Sequence, residues 1–275
     1  MNKPYSHNDL VLKDLALRKL MRFRSEPIMF KRDSVALHQI RVKYLHQAIV
    51  NPLHSNPIEV IYGIVDHGDF NADYGDVSPM DFQEAFNFWI FGYSRKKYHP
   101  GYAEFFAGEH DWIEIFTEYG DVPTHHKTAM SSDEKRALEN AELEEIEKIT
   151  DSCISSSNFD LERTLLDTVL KETLEAQHIS YLDKFDGFMS CAHELLVGNS
   201  TFENPFKRYC DELEQFKRGK YPNLLPLFDT KYPVYDVEGL TKGRGNAFND
   251  AYQLWIEVDK VAQFRFDNYF FSVEL

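Results

Sequence analysis

Helices dominate the reading of this sequence. Segments at 9–23, 34–45, 131–149, 160–197 and 203–218 carry apolar residues at helical spacing, with turn or stop signals between them. A hydrophobic content of 43%, including 22 Phe and 15 Tyr, supplies a sizeable core and excludes a disordered chain. At 275 residues there is room for one large domain, or for a domain with a substantial insertion.

Residues 9–23 read as an amphipathic helix with Leu12, Leu15, Ala16 and Leu20 at helical spacing, ended by Pro27. A second helix opens at Ser34-Val35-Ala36-Leu37-His38, with Asp33 or Ser34 as N-cap and Val35, Ile40, Val42 and Leu45 as its apolar positions. His38 falls in its first turns. Taken alone, a histidine there reads as a satisfied core or surface residue. Residues 51–109 are the least regular part: four prolines (Pro52, Pro57, Pro79, Pro100) accompany a dense aromatic run that includes Phe82, Trp89 and Tyr93. They read as an insertion with one or two helices. Inside it, Asp66-His67-Gly68-Asp69 and Gly75-Asp76 imitate a metal cluster, but Asp alternating with Gly and Asn is better explained by turns.

The next stretch, His110-Asp111-Trp112-Ile113-Glu114, holds the densest chemistry. On a helix, residues three and four apart share a face, so an imidazole and two carboxylates would be presented together, as a metal site with an adjacent acid/base requires. Trp112, Ile113, Ile115 and Phe116 would bury the other directions, and a buried His-Asp pair needs a partner such as a metal. An ion-paired helix without metal is the competing reading.

Residues 131–149 form a charged helix whose narrow stripe is Leu138, Leu143, Ile146 and Ile149, the charges making a solvated face. A Ser-rich linker at 152–158 precedes one or two helices over 160–197. These place Asp183 and Asp186 on largely apolar sequence, where either could ligate a metal. Gly198-Asn199 is a helix stop. A helix at 203–218, an extended region at 222–237 and an aromatic-rich segment at 246–274 complete the chain, with no internal repeat.

Charge and cysteine content narrow the function. A net charge of −15 argues against a surface for nucleic acid, which is held by clustered Lys and Arg, and requires local cations or a metal for any anionic substrate. Cys153, Cys191 and Cys210 lack framework spacing and suit a reducing compartment. Residues 1–5 lack the apolar run of a signal peptide, and no stretch approaches the ~20 apolar residues of a membrane span. A cytoplasmic protein that binds neither membrane nor nucleic acid is expected.

Four ordered motifs then carry a resemblance. Arg22-Phe23, Pro27 and Ser34-Val35-Ala36-Leu37-His38, then His110-Asp111-Trp112-Ile113-Glu114, then Gly120-Asp121-Val122-Pro123-Thr124 with Lys127, and last Asp183, Glu194-Leu195 and Gly198-Asn199 resemble the H…HD…D pattern of HD-domain metal-dependent phosphohydrolases. The similarity is strongest to bacterial 5′-deoxynucleotidases and phage deoxynucleotide phosphohydrolases, and covers roughly residues 9–50 and 106–202. Leu37 and Ser180 depart from it, standing where that family has Glu and Lys. The resemblance implies an all-α fold: an HD-domain helical bundle over 1–202 with an aromatic-rich insertion at about 51–105, and a C-terminal extension, 203–275, packed on the core.

It further implies one divalent transition metal (Co, Mn, Zn or Fe) or else Mg, held by His38, His110, Asp111 and Asp183, with Asp183 preferred over Asp186. Glu114 would be the acid/base, Arg22 and Lys127 would hold phosphate oxygens, Phe23 would stack on base or sugar, and Asp121 would accept from the 3′-hydroxyl. The implied activity is hydrolysis of the 5′-phosphate of deoxynucleoside monophosphates, in a homo-oligomer. Removal of triphosphate from a deoxynucleoside triphosphate is the nearest rival, disfavoured by the cation lost at Ser180. A non-catalytic metal-binding regulatory protein is the rival from another class, and Glu114 speaks against it.

Overall fold

A computed structural model describes residues 29–31, 33–50, 100–120, 124–152, 159–243 and 245–270, with Val122 and, towards the N-terminus, Asp9, Lys13, Ala16 and 19–23. Residues 51–99, most of the expected insertion at about 51–105 and including its Asp66-His67-Gly68-Asp69 motif, lie outside the described residues. So do Asp121 and the Ser-rich stretch 153–158.

The described residues are helical without a sheet: α1 (Val35–Val50), α2 (Pro100–Glu109), α3 (Thr124–Ala129), α4 (Ser132–Ser152), α5 (Phe159–Leu170), α6 (Leu174–Leu196), α7 (Glu203–Lys217), α8 (Val237–Lys242) and α9 (Ala247–Phe270). Short 3-10 turns intervene at Trp112–Phe116, Ser200–Phe202, Pro222–Asp229 and Pro233–Tyr235. The expected all-α class is what the chain adopts.

Local chemistry sets the boundaries. Ser34 caps α1, its hydroxyl accepting from the Leu37 amide at 3.2 Å. Ser131 and Glu134 form a reciprocal box at the start of α4, Glu134 accepting from the Ser131 amide at 2.7 Å. Thr173 caps α6 by accepting from Ala176 N, and Gly198, at φ +94°, takes the left-handed conformation that ends it.

Three expectations are corrected. The first helix does not reach residue 23: the amides of Lys19 and Leu20 close onto Ala16 O. The chain then pairs with the approach to α1 through Arg22 N to Asp33 O and Val35 N to Leu20 O. Residues 222–237 are not extended, because prolines open each of two 3-10 turns, where the missing N–H is not needed. The third is the continuous helix expected through His110–Glu114, which gives way to a turn and a 3-10 segment after Glu109.

The larger apolar cluster draws on α1 (Val42, Leu45, Ile49), α2 (Ala103, Phe106), α6 (Ile179, Leu182, Phe185, Phe188), α7 (Leu213, Phe216) and α9 (Ala251, Trp255, Val258). The long helix α6 is its axis, with Phe185, Phe188 and Met189 wholly buried. Contact with α7 is close at Gly187, where a Cβ would lie 2.3 Å from the Tyr209 ring. A second cluster joins Val35 with Ile113, Ile115 and Phe116 and with Ile146, Ile149 and Leu165, fixing the 3-10 turn between α1, α4 and α5.

Candidate metal centre

His38 projects from the second turn of α1 and is fully buried. Opposite it, α2 ends at Glu109 and His110 and Asp111 form a turn, so the pair sits at a helix end and not mid-helix. The expected continuous helix through Glu114 is broken there. The following 3-10 turn over Trp112–Phe116 carries Glu114, which is 8% exposed. Packing explains the tighter turn: Ile113, Ile115 and Phe116 all enter the second apolar cluster. Asp183 comes from the middle of α6.

These elements bring four donor atoms together. His38 Nε2 lies 3.2 Å from His110 Nε2, 3.2 Å from Asp183 Oδ1 and 3.3 Å from Asp111 Oδ2. His110 Nε2 is 3.4 Å from Asp111 Oδ2. His38, His110 and Asp183 each offer a ligand atom within 4.8 Å of the others. Both rings are anchored at their other nitrogen. His110 Nδ1 donates to Ala107 O at 2.7 Å, and His38 Nδ1 donates to Asp186 Oδ2 at 2.7 Å, which is the tautomer that a carboxylate partner requires. Both Nε2 atoms therefore face the centre.

The electrostatics around these donors are strongly coupled. Burial and Arg22 both oppose a charged His38, yet its bonds to Asp111, Asp183 and Asp186 push its pKa up to about 10. Burial, with the charge on His38, holds His110 below its ordinary value. Burial also works against ionised Asp111 and Asp183, but His110 and His38 for the first, and Lys184 and His38 for the second, hold both carboxyls below the ordinary range. Two imidazole nitrogens and two carboxylate oxygens are a donor set that fits one divalent ion.

His110, Asp111 and Asp183 line a cleft of about 370 Å³, with His38 behind them. Glu114 and Lys127 line it too, joined by a bond of 2.7 Å from Lys127 Nζ to Glu114 Oε1. Arg22 is buried and already engaged, donating to Asp186 Oδ2 at 3.0 Å and lying 3.5 Å from Asp183. Phe23, 3% exposed and at φ +51°, packs edge-on against Phe202 and Tyr209. It contributes a wall to the cleft, with little ring area for stacking.

Sequence reasoning missed several groups. Asp186, weighed as a ligand, stands behind His38. Burial disfavours its charge, but Arg41 and His38 hold its carboxyl well below the ordinary range. Lys135, Lys171, Lys184 and Lys220 line the same cleft. Burial, together with Lys184 and Lys127, lowers Lys171 to about 8, and its backbone is left-handed at φ +50°. A Lys next to Asp183 on the same helix was the available signal for Lys184. The loss of cationic character inferred from Ser180 is thus offset in space.

Among the described residues no helix is long and apolar enough to cross a membrane. No curated protein matches the chain. Residues 91–224 match the model of a family described as 5′-deoxynucleotidase YfbR-like. The matched span holds His110, Asp111, Glu114, Lys127 and Asp183, while His38 and α9 lie outside it.

Proposed function

We propose that this chain, 5′-deoxynucleotidase-like and of HD type across residues 91–224, hydrolyses the 5′-phosphate of deoxynucleoside monophosphates at one divalent metal ion. The observation that supports it is the convergence of the His38, His110, Asp111 and Asp183 donors beside a cleft that also contains Glu114 and Lys127. Such an ion, when bound, supplies Lewis acidity toward phosphorus.

The remaining work falls to the protein. Glu114, held by Lys127 at the cleft wall, takes a proton from the attacking water or gives one to the leaving 5′-oxygen. An ammonium has three N–H donors, enough for Lys127 to hold Glu114 and a phosphate oxygen together. Arg22 steadies Asp183 and Asp186 and adds positive charge under the phosphate. Phe23, Phe106 and Tyr209 give the cleft apolar walls suited to sugar and base. Asp121 is the residue proposed to accept from the 3′-hydroxyl, with steric exclusion of a 2′-hydroxyl beside it. The proposed unit is an HD core over 1–202 with residues 203–275 as its C-terminal extension, working as a homo-oligomer in the cytoplasm.

A second reading, release of triphosphate from deoxynucleoside triphosphates, is favoured by Lys127, Lys171, Lys184 and Lys220 sharing that cleft, since about four negative charges need several cations. One experiment separates the two: a screen for phosphate and triphosphate release from matched deoxy- and ribonucleotides with Mn²⁺, Co²⁺, Zn²⁺ and Mg²⁺. Phosphate from deoxynucleoside monophosphates is expected. Triphosphate as product selects the second reading. Metal binding with no hydrolysis of any nucleotide would leave a non-catalytic metal-binding protein.

A further inference from the structure

The helix α9 follows the family-matched span and is the far end of the described chain. Its buried positions include Ala251, Val258 and Ala262. Yet Trp255 and Asp259, one turn apart on the same face, direct polar groups inward. Trp255 Nε1 donates to Asp186 Oδ1 at 2.7 Å. Asp259 Oδ1 accepts from Arg41 Nη1 at 2.9 Å, and the same nitrogen donates to Asp33 Oδ2 at 2.6 Å.

Arg41, fully buried, connects this face to the centre. Its Nε and Nη2 grip the two oxygens of Asp186 at 2.5 and 3.0 Å, and its guanidinium lies over the Trp255 ring at 5.2 Å. Asp186 then uses Oδ2 to receive His38 Nδ1. Replacing a buried ion network by apolar groups is often neutral or stabilising, so stability alone does not account for this one. Carboxylates that orient a metal-ligating histidine do account for it.

We infer that α9 is part of the metal centre: Trp255 and Asp259 lock the Asp186–Arg41 pair, and Asp186 fixes His38 with Nε2 among the donors. These are positioning residues, and the inference rests on the metal-centre reading. Two motions are denied to Asp186. The indole N–H stops rotation of its carboxylate, and the Arg41 fork, braced by Asp33 and Asp259, stops its withdrawal from His38. His38 therefore cannot turn its Nε2 away without breaking a bond at Nδ1.

The test uses the full chain. Trp255→Phe removes the N–H and keeps an aromatic ring, Asp186→Asn removes the charge at similar shape, and Val258→Ala, on the same helix, is the packing control. Co²⁺ affinity by competition with a chromophoric chelator is measured with the absorption spectrum of the Co²⁺-loaded protein and the melting temperature of the metal-free protein. Asp186→Asn is expected to weaken Co²⁺ about 10- to 100-fold and Trp255→Phe about tenfold, with an altered Co²⁺ spectrum. Val258→Ala should match wild-type affinity despite a lowered melting temperature. Trp255→Phe within twofold of wild type and with an unchanged spectrum overturns the inference, as does an equal loss of affinity in Val258→Ala. Should Asp186→Asn fail to fold, Trp255→Phe decides alone. A wild type that binds no divalent ion overturns the metal-centre reading itself, and this inference with it.

Discussion

Glu114 reaches the cleft because the chain leaves α2 before His110 and tightens into a 3-10 turn, so the carboxylate is carried past His110 and Asp111 and meets Lys127. Glu114→Gln should therefore keep the metal and lower turnover about 10²-fold or more, as removal of a positioned acid/base does. Metal content alongside kcat checks it, and activity within twofold of wild type would assign the role to another group. His110→Ala and Asp111→Ala each delete one of the four converging donors and should purify with little of the one equivalent of transition metal expected in wild type. Elemental analysis showing equal metal in all three proteins would place the ion elsewhere. That His110, Asp111 and Glu114 share one cleft was legible because they are close in sequence, although the single helix face expected of them does not form. Asp186 as the partner of His38 was not, since the contact joins residues 148 apart in sequence and depends on how α6 is rotated against α1.

The helix α6 presents different residues to different neighbours. Asp183 reaches the cleft, Asp186 turns toward α1 and α9, and Gly187 lets Tyr209 of α7 approach closely. Gly187→Ala would place a methyl carbon 2.3 Å from an aromatic ring packed on Phe23, so either that ring or the two helices must shift. A loss of about 1 to 3 kcal/mol is expected, as for overpacking generally, with weakened metal binding because the same helix carries Asp183. Urea denaturation measures the first; unchanged stability would mean that Tyr209 rotates aside at no cost. Helices with strong local signals were readable in advance: Ser34 and Gly198 mark real boundaries, and the charged helix begins where its pattern does, at 131–132. The break at His110 was not, because burial of Ile113 and Phe116 decides it, and neither were the turns opened by Pro222 and Pro233, since proline suits an extended segment as well.

At the scale of the whole molecule, α1 and α6 bring His38 and Asp183 together at one place and a pair of buried histidines at another. His46 of α1 and His178 of α6 have ring centroids 5.8 Å apart, and His178 Nε2 shares a 2.7 Å hydrogen bond with the Tyr235 hydroxyl. Burial lowers His46 to about 3, and burial with the nearby His46 lowers His178 well below its ordinary value. In the unfolded chain both titrate near 6.5. Below that pH the unfolded state binds protons that the folded state refuses, so stability falls as pH drops from about 6.5 toward about 3. Each histidine contributes a slope of up to about 1.4 kcal/mol per pH unit, the free energy of one proton. Asp111, Asp183 and Asp186 titrate lower, but burial also lowers His110 and raises Glu142, so the contribution of His46 is read from the difference between wild type and variant between about pH 6.5 and 5. His46→Gln should flatten the stability profile there by about one proton while leaving stability at pH 8 changed only by packing. Urea midpoints at half-unit steps of pH, for wild type and variant at fixed metal concentration, read this directly. Parallel profiles would mean that His46 gains a proton inside the folded protein, and that α1 and α6 separate enough at this point to admit it.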